Sequence, residues 1–299
     1  MSTPVNLRNL NFEVRPGLPS DLWALHWLRS LAGWNQTVGQ WIAFLSSPSA
    51  VVFVACSGTS VIGVSTIWNY QGRLAWIGMV IVHPAYRRRG IARCLLNRCL
   101  EFTSQRGVDF VGLDATPAGR PLYHSLGFVE GEPLDRWVLE ASKLRVRPRA
   151  SLEVCVIEEG RESIAMLLKG EFDRLSFGVD RTDLLMSLLS ECRSSVVLRE
   201  GSGEELGYGV LRHGARHSYL GPVVAESKVS GRVIVTQLLG REHNGSVIWD
   251  LPIKNDAAVE LAVELGFCRQ RPLFRMWRPV PIMADRSDRI WAIVDPALG

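Results

Sequence analysis

Residues 76–93 read Trp76-Ile-Gly-Met-Val-Ile-Val-His-Pro-Ala-Tyr-Arg-Arg-Arg-Gly-Ile-Ala-Arg93. An apolar, β-rich run ends at Val82. Pro84 breaks it, three arginines follow, and Gly90 opens a new pattern. From there Ile91, Leu95, Leu96, Cys99 and Phe102 recur at three- and four-residue steps, the period of a helix that buries one face. Strand, basic loop and helix in this order make an anion cradle. The loop turns backbone N–H groups inward, and the helix opens with unpaired N–H groups and the positive end of its dipole. Gly90 lets the backbone approach a bulky phosphate, small Ala92 does the same further on, and Arg87, Arg88 and Arg89 add charge-assisted hydrogen bonds. The stretch is neither a Walker loop nor a GxGxxG dinucleotide fingerprint. Its rival reading is a solvated basic face or a nucleic-acid patch, formed with Lys143–Arg149.

Around this stretch, strand-like and helix-like segments alternate. Strands are predicted at Phe12–Arg15, Val51–Ala55, Val61–Trp68, Ala75–Val82, Val108–Leu113 and Phe128–Leu139, with a turn at Gln71-Gly72. A helix starts near Ser20, read as its N-cap, and carries Leu22, Leu25 and Leu28. Gly107 closes the long helix, and a short helix, Arg120–Leu126, is closed by Gly127.

A second motif, Leu113-Asp-Ala-Thr-Pro-Ala-Gly-Arg-Pro-Leu-Tyr-His-Ser-Leu-Gly-Phe128, follows about 30 residues after the first. Together, Arg87-x-x-Gly90-x-Ala92 after a strand and Leu122-Tyr-x-x-Leu-Gly-Phe128 resemble the GNAT superfamily of acyl-CoA-dependent N-acyltransferases over residues 12–140. The resemblance implies a pyrophosphate loop at Arg87–Ala92, including Ile91. It implies a pantetheine arm paired with Val80, Ile81 and Val82, Thr116 near that arm, and Tyr123 as general acid. Acetyl-CoA is the implied co-substrate and no metal is implied. The details Gly33-Trp34-Asn35 and Asp114-Ala-Thr-Pro-Ala-Gly119 are similar to a tandem subgroup with a divergent C-terminal copy.

The chemistry asks for these parts. An amine must be neutral to attack a thioester, the carbonyl oxygen needs a donor as charge builds, and the departing thiolate needs a proton. A backbone N–H at a bulge near Val80–Val82 suits the second need, and the Tyr123 hydroxyl the third. Packed under its helix, the same tyrosine is an ordinary amphipathic residue. The strand Trp76–Val82 carries no acid, which leaves Asp114 as candidate base or substrate-orienting residue, or as a hydrogen-bonded turn residue, with Glu13 and Asp21 behind it. His83 and His124 are read as structural. Trp34 and Asn35 either line the acceptor pocket or serve as a packing anchor and a helix cap.

Residues 142–151 (Ser-Lys-Leu-Arg-Val-Arg-Pro-Arg-Ala-Ser) read as a linker between an N-terminal domain, 10–141, and a C-terminal one, 152–299. After it the order of elements repeats. Leu126-Gly-Phe128 matches Leu265-Gly-Phe267, and Ile77-Gly78 matches Leu220-Gly221. The predicted second-half elements are strands at Leu152–Ile157, Val196–Arg199, Gly207–Arg212, Tyr219–Val224, Val247–Leu251 and Arg269–Trp277. Helices are predicted at Ser163–Leu168, Asp183–Leu189, Val229–Leu239 and Ala257–Glu264. Here Gly221–Gly231 replaces the arginine loop, the segment after it is about four residues shorter, and Ala262 stands where Tyr123 does. Asn255 is kept at a position the family often uses near pantetheine. The second copy is therefore expected to keep the fold without the cofactor site, with the tail Pro279–Gly299 docked on it.

The chain has 299 residues, 47% apolar and 21% charged, with a formal net charge of +4, within the range of globular proteins. No apolar run approaches the ~20 residues of a membrane span, and Met1–Leu10 lacks the pattern of a signal peptide. Six cysteines form no CxxC pair, which fits reduced thiols in the cytoplasm. The sequence thus predicts two tandem mixed α/β folds, an intact first copy and a degenerate second. The expected function is acetyl transfer to a primary amine by direct attack in a ternary complex, with a non-catalytic acyl-CoA sensor or scaffold as the alternative. The acceptor is expected to be a small molecule, with neither nucleic acid nor membrane as partner, and the internal repeat to stand in for a dimer.

Overall fold

The structure is a computed structural model that describes residues 11–143, 155–242, 245–280 and 287–299. The linker read at 142–151 lies outside these residues apart from a 3-10 turn that ends at Lys143. The first half runs β1 (Glu13–Pro16), α1 (Leu22–Ala32), α2 (Val38–Ser46), β2 (Ala50–Ser57), β3 (Ser60–Tyr70), β4 (Leu74–Val82), α3 (Ile91–Gln105), β5 (Phe110–Ala115), α4 (Arg120–His124) and β6 (Val129–Leu139). The second half runs β7 (Cys155–Glu159), α5 (Arg161–Leu168), α6 (Phe172–Phe177), α7 (Thr182–Leu188), β8 (Cys192–Glu200), β9 (Glu205–Arg212), β10 (Ser218–Ala225), α8 (Lys228–Leu239), β11 (Val247–Pro252), α9 (Asp256–Glu264), β12 (Cys268–Arg278) and β13 (Ile290–Ala292).

Local chemistry accounts for the boundaries. Gln71 and Gly72 both take positive φ, which makes the tight turn of the β3–β4 hairpin. Thr37 and Gln40 form a capping box at the start of α2, so Asn35 is not its cap. Ser20 is not the cap of α1 either. Residues 19–21 coil into a 3-10 turn, and the Asp21 carboxylate accepts from Arg15 and from the Leu18 N–H. The Leu-Gly-Phe repeats are one device used twice. Gly127 (φ 83°) and Gly266 (φ 82°) end α4 and α9, and the N–H of Phe128 and Phe267 return to Tyr123 O and Ala262 O. Two elements had no periodic signal in the sequence: α6 is short, and β13 has three residues.

All strands join one sheet, in the order β1-β2-β3-β4-β5-β12-β6-β11-β10-β9-β8-β7, with β13 on β10. The halves exchange their last strands. β12 lies antiparallel between β5 and β6, and β6 lies between β12 and β11. The first half's sheet is thus completed by residues 268–278, and residues of the second half reach the first half's cleft. The tail divides its contacts. Trp291 is buried in the core of the second half, but Tyr70 donates to Leu298 O and Trp76 Nε1 donates to Pro296 O, 3.1 Å away, both in the first half. The expectation that the tail docks on the second half alone is corrected accordingly. Its apolar residues 297–298 seal a core that both halves share.

Candidate active site

The site begins where the sheet opens. β4 and β5 run parallel through Leu74–Trp76 and Phe110–Gly112, then part, and among the described residues no strand pairs with that edge of β4 beyond Trp76. A bulge sits at this point. Met79 takes φ 51°, and the β3–β4 register shifts between Gly78 and Ile81. His83 N–H donates to Ile62 O of β3 at 2.9 Å, so by alternation the Val82 amide faces the open side. The side chains of Ile81 and Ile91 are buried in the core, so these residues have only backbone to offer a ligand.

The basic loop follows. Arg88 (φ 64°) and Gly90 (φ 82°) are left-handed, and Gly90 is the N-cap of α3 with no side chain to satisfy the first N–H groups. The N–H groups of Ile91, Ala92 and Arg93 remain available. Arg87 Nε donates to Val82 O at 3.1 Å, and Arg89 Nη2 donates to Ala85 O at 3.1 Å. Arg89 Nη1 is buried with no partner, while Arg88 is exposed. His83 stacks on Trp27 and its Nδ1 accepts from the Ala85 N–H, which shapes the loop. This unpaired strand edge, open helix N-terminus and cluster of guanidinium groups fit a pantetheine–pyrophosphate chain.

A cavity of about 50 Å3, open to solvent at its mouth, lies at the bulge. It is lined from the first half by Trp34, Asn35, Gln36, Gly78, Met79, Val80, Asp114, Thr116 and Tyr123, among others. Tyr123 is nearly buried, its ring T-shaped against Phe128, and burial pushes its hydroxyl well above the usual tyrosine value. Its hydroxyl makes no hydrogen bond to the described residues. Thr116 Oγ1 accepts from the Gly119 N–H at the start of the Tyr123 helix. Asn35 is committed: its Oδ1 accepts from the N–H of Arg216 and His217, and its Nδ2 donates to His217 O, so it pins the β9–β10 loop.

Asp114 is the single carboxylate lining the cavity among the described residues, and it is held. Arg275 of β12 grips it in bidentate fashion at 2.9 and 3.0 Å, and stacks on Trp76. Burial pushes the Asp114 carboxyl up, with Arg275 opposing the shift. Glu13 and Asp21, the further acids, do not line the cavity, and Asp21 pairs with Arg15. His124 pairs with Glu130 at 2.7 Å.

The other wall belongs to residues that local motifs did not reveal: Arg136, Arg271, Leu273, Pro296 and Ala297. Arg136 is bidentate to Asp250 at 2.7 and 2.6 Å, and Tyr219 donates to the same carboxylate. The tail approaches β4 so closely that a Cβ on Gly78 would lie 2.3 Å from Ala297 O, so only glycine fits there. One sequence signal was available: Arg271 and Arg275 are charged residues two positions either side of Leu273 within the predicted strand Arg269–Trp277.

In the second half the corresponding cleft is filled. β10 and β11 pair in parallel through Ser218–Leu220 and Val247–Trp249, and past that point β13 pairs with β10 at Val223 and Val224. Asn255 Nδ2 donates to Asp288 O and Ile290 O, both at 3.0 Å, and so holds the tail segment. Only residues 226–227 separate β10 from α8, against 83–90 between β4 and α3. Ser227 and Ser230 close a capping box on α8, and Ala262 is buried. Among the described residues, no group of three or more His, Cys, Asp or Glu side chains could hold a metal ion, and no helix is long and apolar enough to cross a membrane.

Two family models, each described as an acetyltransferase (GNAT) domain, match residues 48–130 and 170–292. The uncharacterised N-acetyltransferase YitH of Bacillus subtilis (strain 168) is 26% identical over 230 residues, 76% of this chain and 78% of that protein. Among solved structures, a protein of Pyrococcus horikoshii provisionally described as an acetyltransferase superposes with a TM-score of 0.78 at 24% identity, covering 100% of this chain and 99% of that one. A tandem GNAT protein from the clavulanic acid biosynthesis pathway gives 0.64 at 14% identity, over 90% of this chain and 98% of that one. Both superpositions span the two halves and the shared sheet.

Proposed function

Because the chain is a tandem of two GNAT acetyltransferase domains, we propose that it transfers the acetyl group of acetyl-CoA to a primary amine in the cleft of its first domain. Acetyl-CoA brings an already activated acyl group, so the protein's task is to bind, orient and move protons. The observation that carries the reading is the contrast within the cleft of the first half. There one edge of β4 is bare past Trp76, α3 has no side-chain cap, and Tyr123 lines the cavity.

The backbone of Val80–Val82 takes the pantetheine arm as an added strand would be taken. The α3 N-terminus, with Arg87, Arg88 and Arg89, takes the pyrophosphate. The bulge at Met79 re-aims backbone N–H groups toward the carbonyl oxygen. The amine attacks directly in a ternary complex, the C–N bond forms as the C–S bond breaks, and Tyr123 gives its proton to the leaving sulfur. The raised pKa of Tyr123 keeps that proton in place at neutral pH. The ion pair with Arg275 suits Asp114 to orienting the acceptor wall, and the amine's proton leaves through water. The acceptor in this reading is a small molecule. The exchanged β6 and β12 take the place of a dimer contact.

Native mass spectrometry with excess acetyl-CoA tests this. One equivalent per chain is expected, and saturation at ~100 times Kd adds ~2.7 kcal/mol of stability to a melt. Two equivalents would overturn the assignment of one live cleft, and none would overturn the acyltransferase reading. The lack of a free carboxylate in the cavity among the described residues favours one second reading, a non-catalytic acyl-CoA sensor. Bound acetyl-CoA with no thiol release across an amine panel would support it.

A further inference from the structure

Besides Tyr123, two residues that line the acceptor cavity each carry a buried polar atom with no partner among the described residues, and the two atoms are of opposite kinds. Gln36 is more than nine-tenths buried. Its Nε2 donates to both oxygens of Asp295, at 2.9 and 3.1 Å, which leaves Oε1 as an acceptor with no donor. Arg271 reaches the cavity from the exchanged β12. Its Nε is buried with no partner, and no carboxylate among the described residues forms an ion pair with it. The nearby acids are taken: Asp250 by Arg136 and Tyr219, Asp114 by Arg275, Asp135 by Arg269. Leaving a guanidinium half-buried beside a second guanidinium, Arg136, is costly unless an anion comes to it. Burial and then Arg136 lower the pKa of Arg271, with Asp250 only partly opposing them.

Resting on the acetyltransferase reading, we propose that the acceptor is an amine that also carries a carboxylate, an amino-acid-like molecule. Its carboxylate is held by Arg271 and an N–H of its amine by Gln36 Oε1. A carboxylate matches the fork of one guanidinium. The cavity lined by both groups is also lined by Gly78, Met79 and Val80, so the amine held there lies at the bulge where the acetyl group is delivered. The determinant comes from the second domain through strand exchange, which gives that domain a part in a reaction it does not perform.

The test uses the full chain with acetyl-CoA and a panel of L-amino acids, each beside its C-terminal amide, with thiol release as readout. One or more amino acids are expected to react with kcat/KM about 10- to 100-fold above the matching amide, the worth of a charged hydrogen bond. Arg271→Gln is expected to raise KM for that acid by a similar factor, leave the amide unchanged, and keep the acetyl-CoA melting shift; Arg271→Lys restores part of the loss. Amides or carboxylate-free amines reacting as well as the acids would overturn the proposal, as would O-phosphoethanolamine reacting better than any acid. Should no amine react while acetyl-CoA binds, melts with CoA and N-acetyl amino acids decide. Stabilisation by the acids but not by N-acetyl amino amides, lost in Arg271→Gln, supports it, and no stabilisation by the acids overturns it. Failure of acetyl-CoA itself to shift the melt would instead bring down the acetyltransferase reading.

Discussion

The two clefts of this chain start from one plan and end in opposite states. In each, a pair of parallel strands parts after three paired residues, a helix crosses over, and a short helix closes with Leu-Gly-Phe. In the first half the parted edge of β4 is bare and α3 has glycine as its cap. In the second, β13 pairs with the parted edge of β10, serine side chains satisfy α8, and alanine replaces the tyrosine. The difference lies in backbone: groups that the chain's own tail and side chains satisfy in the second half are left open in the first, as the proposed function requires.

The largest effect that would probe this comparison is Trp291→Ala. The ring is 2% exposed and packs where a Cβ on Gly231 would collide with it, so its loss is expected to cost about 3–5 kcal/mol in chemical denaturation. A small loss would mean that the tail is a loose cover rather than core.

Gly90→Glu puts a negative charge and a strained left-handed residue at the α3 cradle. Acetyl-CoA binding by calorimetry is expected to weaken by at least about 100-fold. The matching change at the start of α8, Lys228→Glu, is expected to leave binding untouched. Equal losses would erase the distinction between the clefts.

Tyr123→Phe is expected to lower kcat about 100-fold with acetyl-CoA affinity unchanged. Unchanged turnover would remove the acid assignment. Asn255→Ala removes two donors to tail carbonyls and the α9 cap, for about 1–3 kcal/mol. One equivalent of acetyl-CoA is still expected, because the loop at 226–227 is too short to rebuild a cradle. A second equivalent would show that the tail alone closes that cleft.

The smallest effect is a pH profile. The usual tyrosine value is 10.0, and burial raises that of Tyr123 above it. A raised pKa keeps the acid form to higher pH, so kcat should hold level through pH 10 rather than fall. An alkaline fall below pH 10 that vanishes in Tyr123→Phe would mean that the hydroxyl is more solvated than the cavity suggests.

Much of this was legible in residue patterns. The strand–loop–helix at 76–93 is local: its strand end, basic run and glycine are contiguous, so spacing alone reveals the arrangement. The repeat was legible because a helix stopped by a left-handed glycine and followed by a buried phenylalanine is a short, local device. Asp114 was visible as an acid, but its engagement was not, because Arg275 lies 161 residues away. Asn255 was visible as retained, but its partner was not, because β13 has too few residues to carry a period. Ser20 misled because Asp21, beside it, had a stronger partner in Arg15.

By itself the sequence determined the class of fold and the duplication, since each is written in contiguous residues whose spacing matches a backbone period. Only the tertiary structure decided what surrounds the cavity. Strand exchange carries Arg271 and Arg275 into the first domain, and the tail crosses from one cleft to the wall of the other. Pairing between distant strands is selected by the burial and hydrogen bonding of the whole sheet, and no local period records which edge a strand will join.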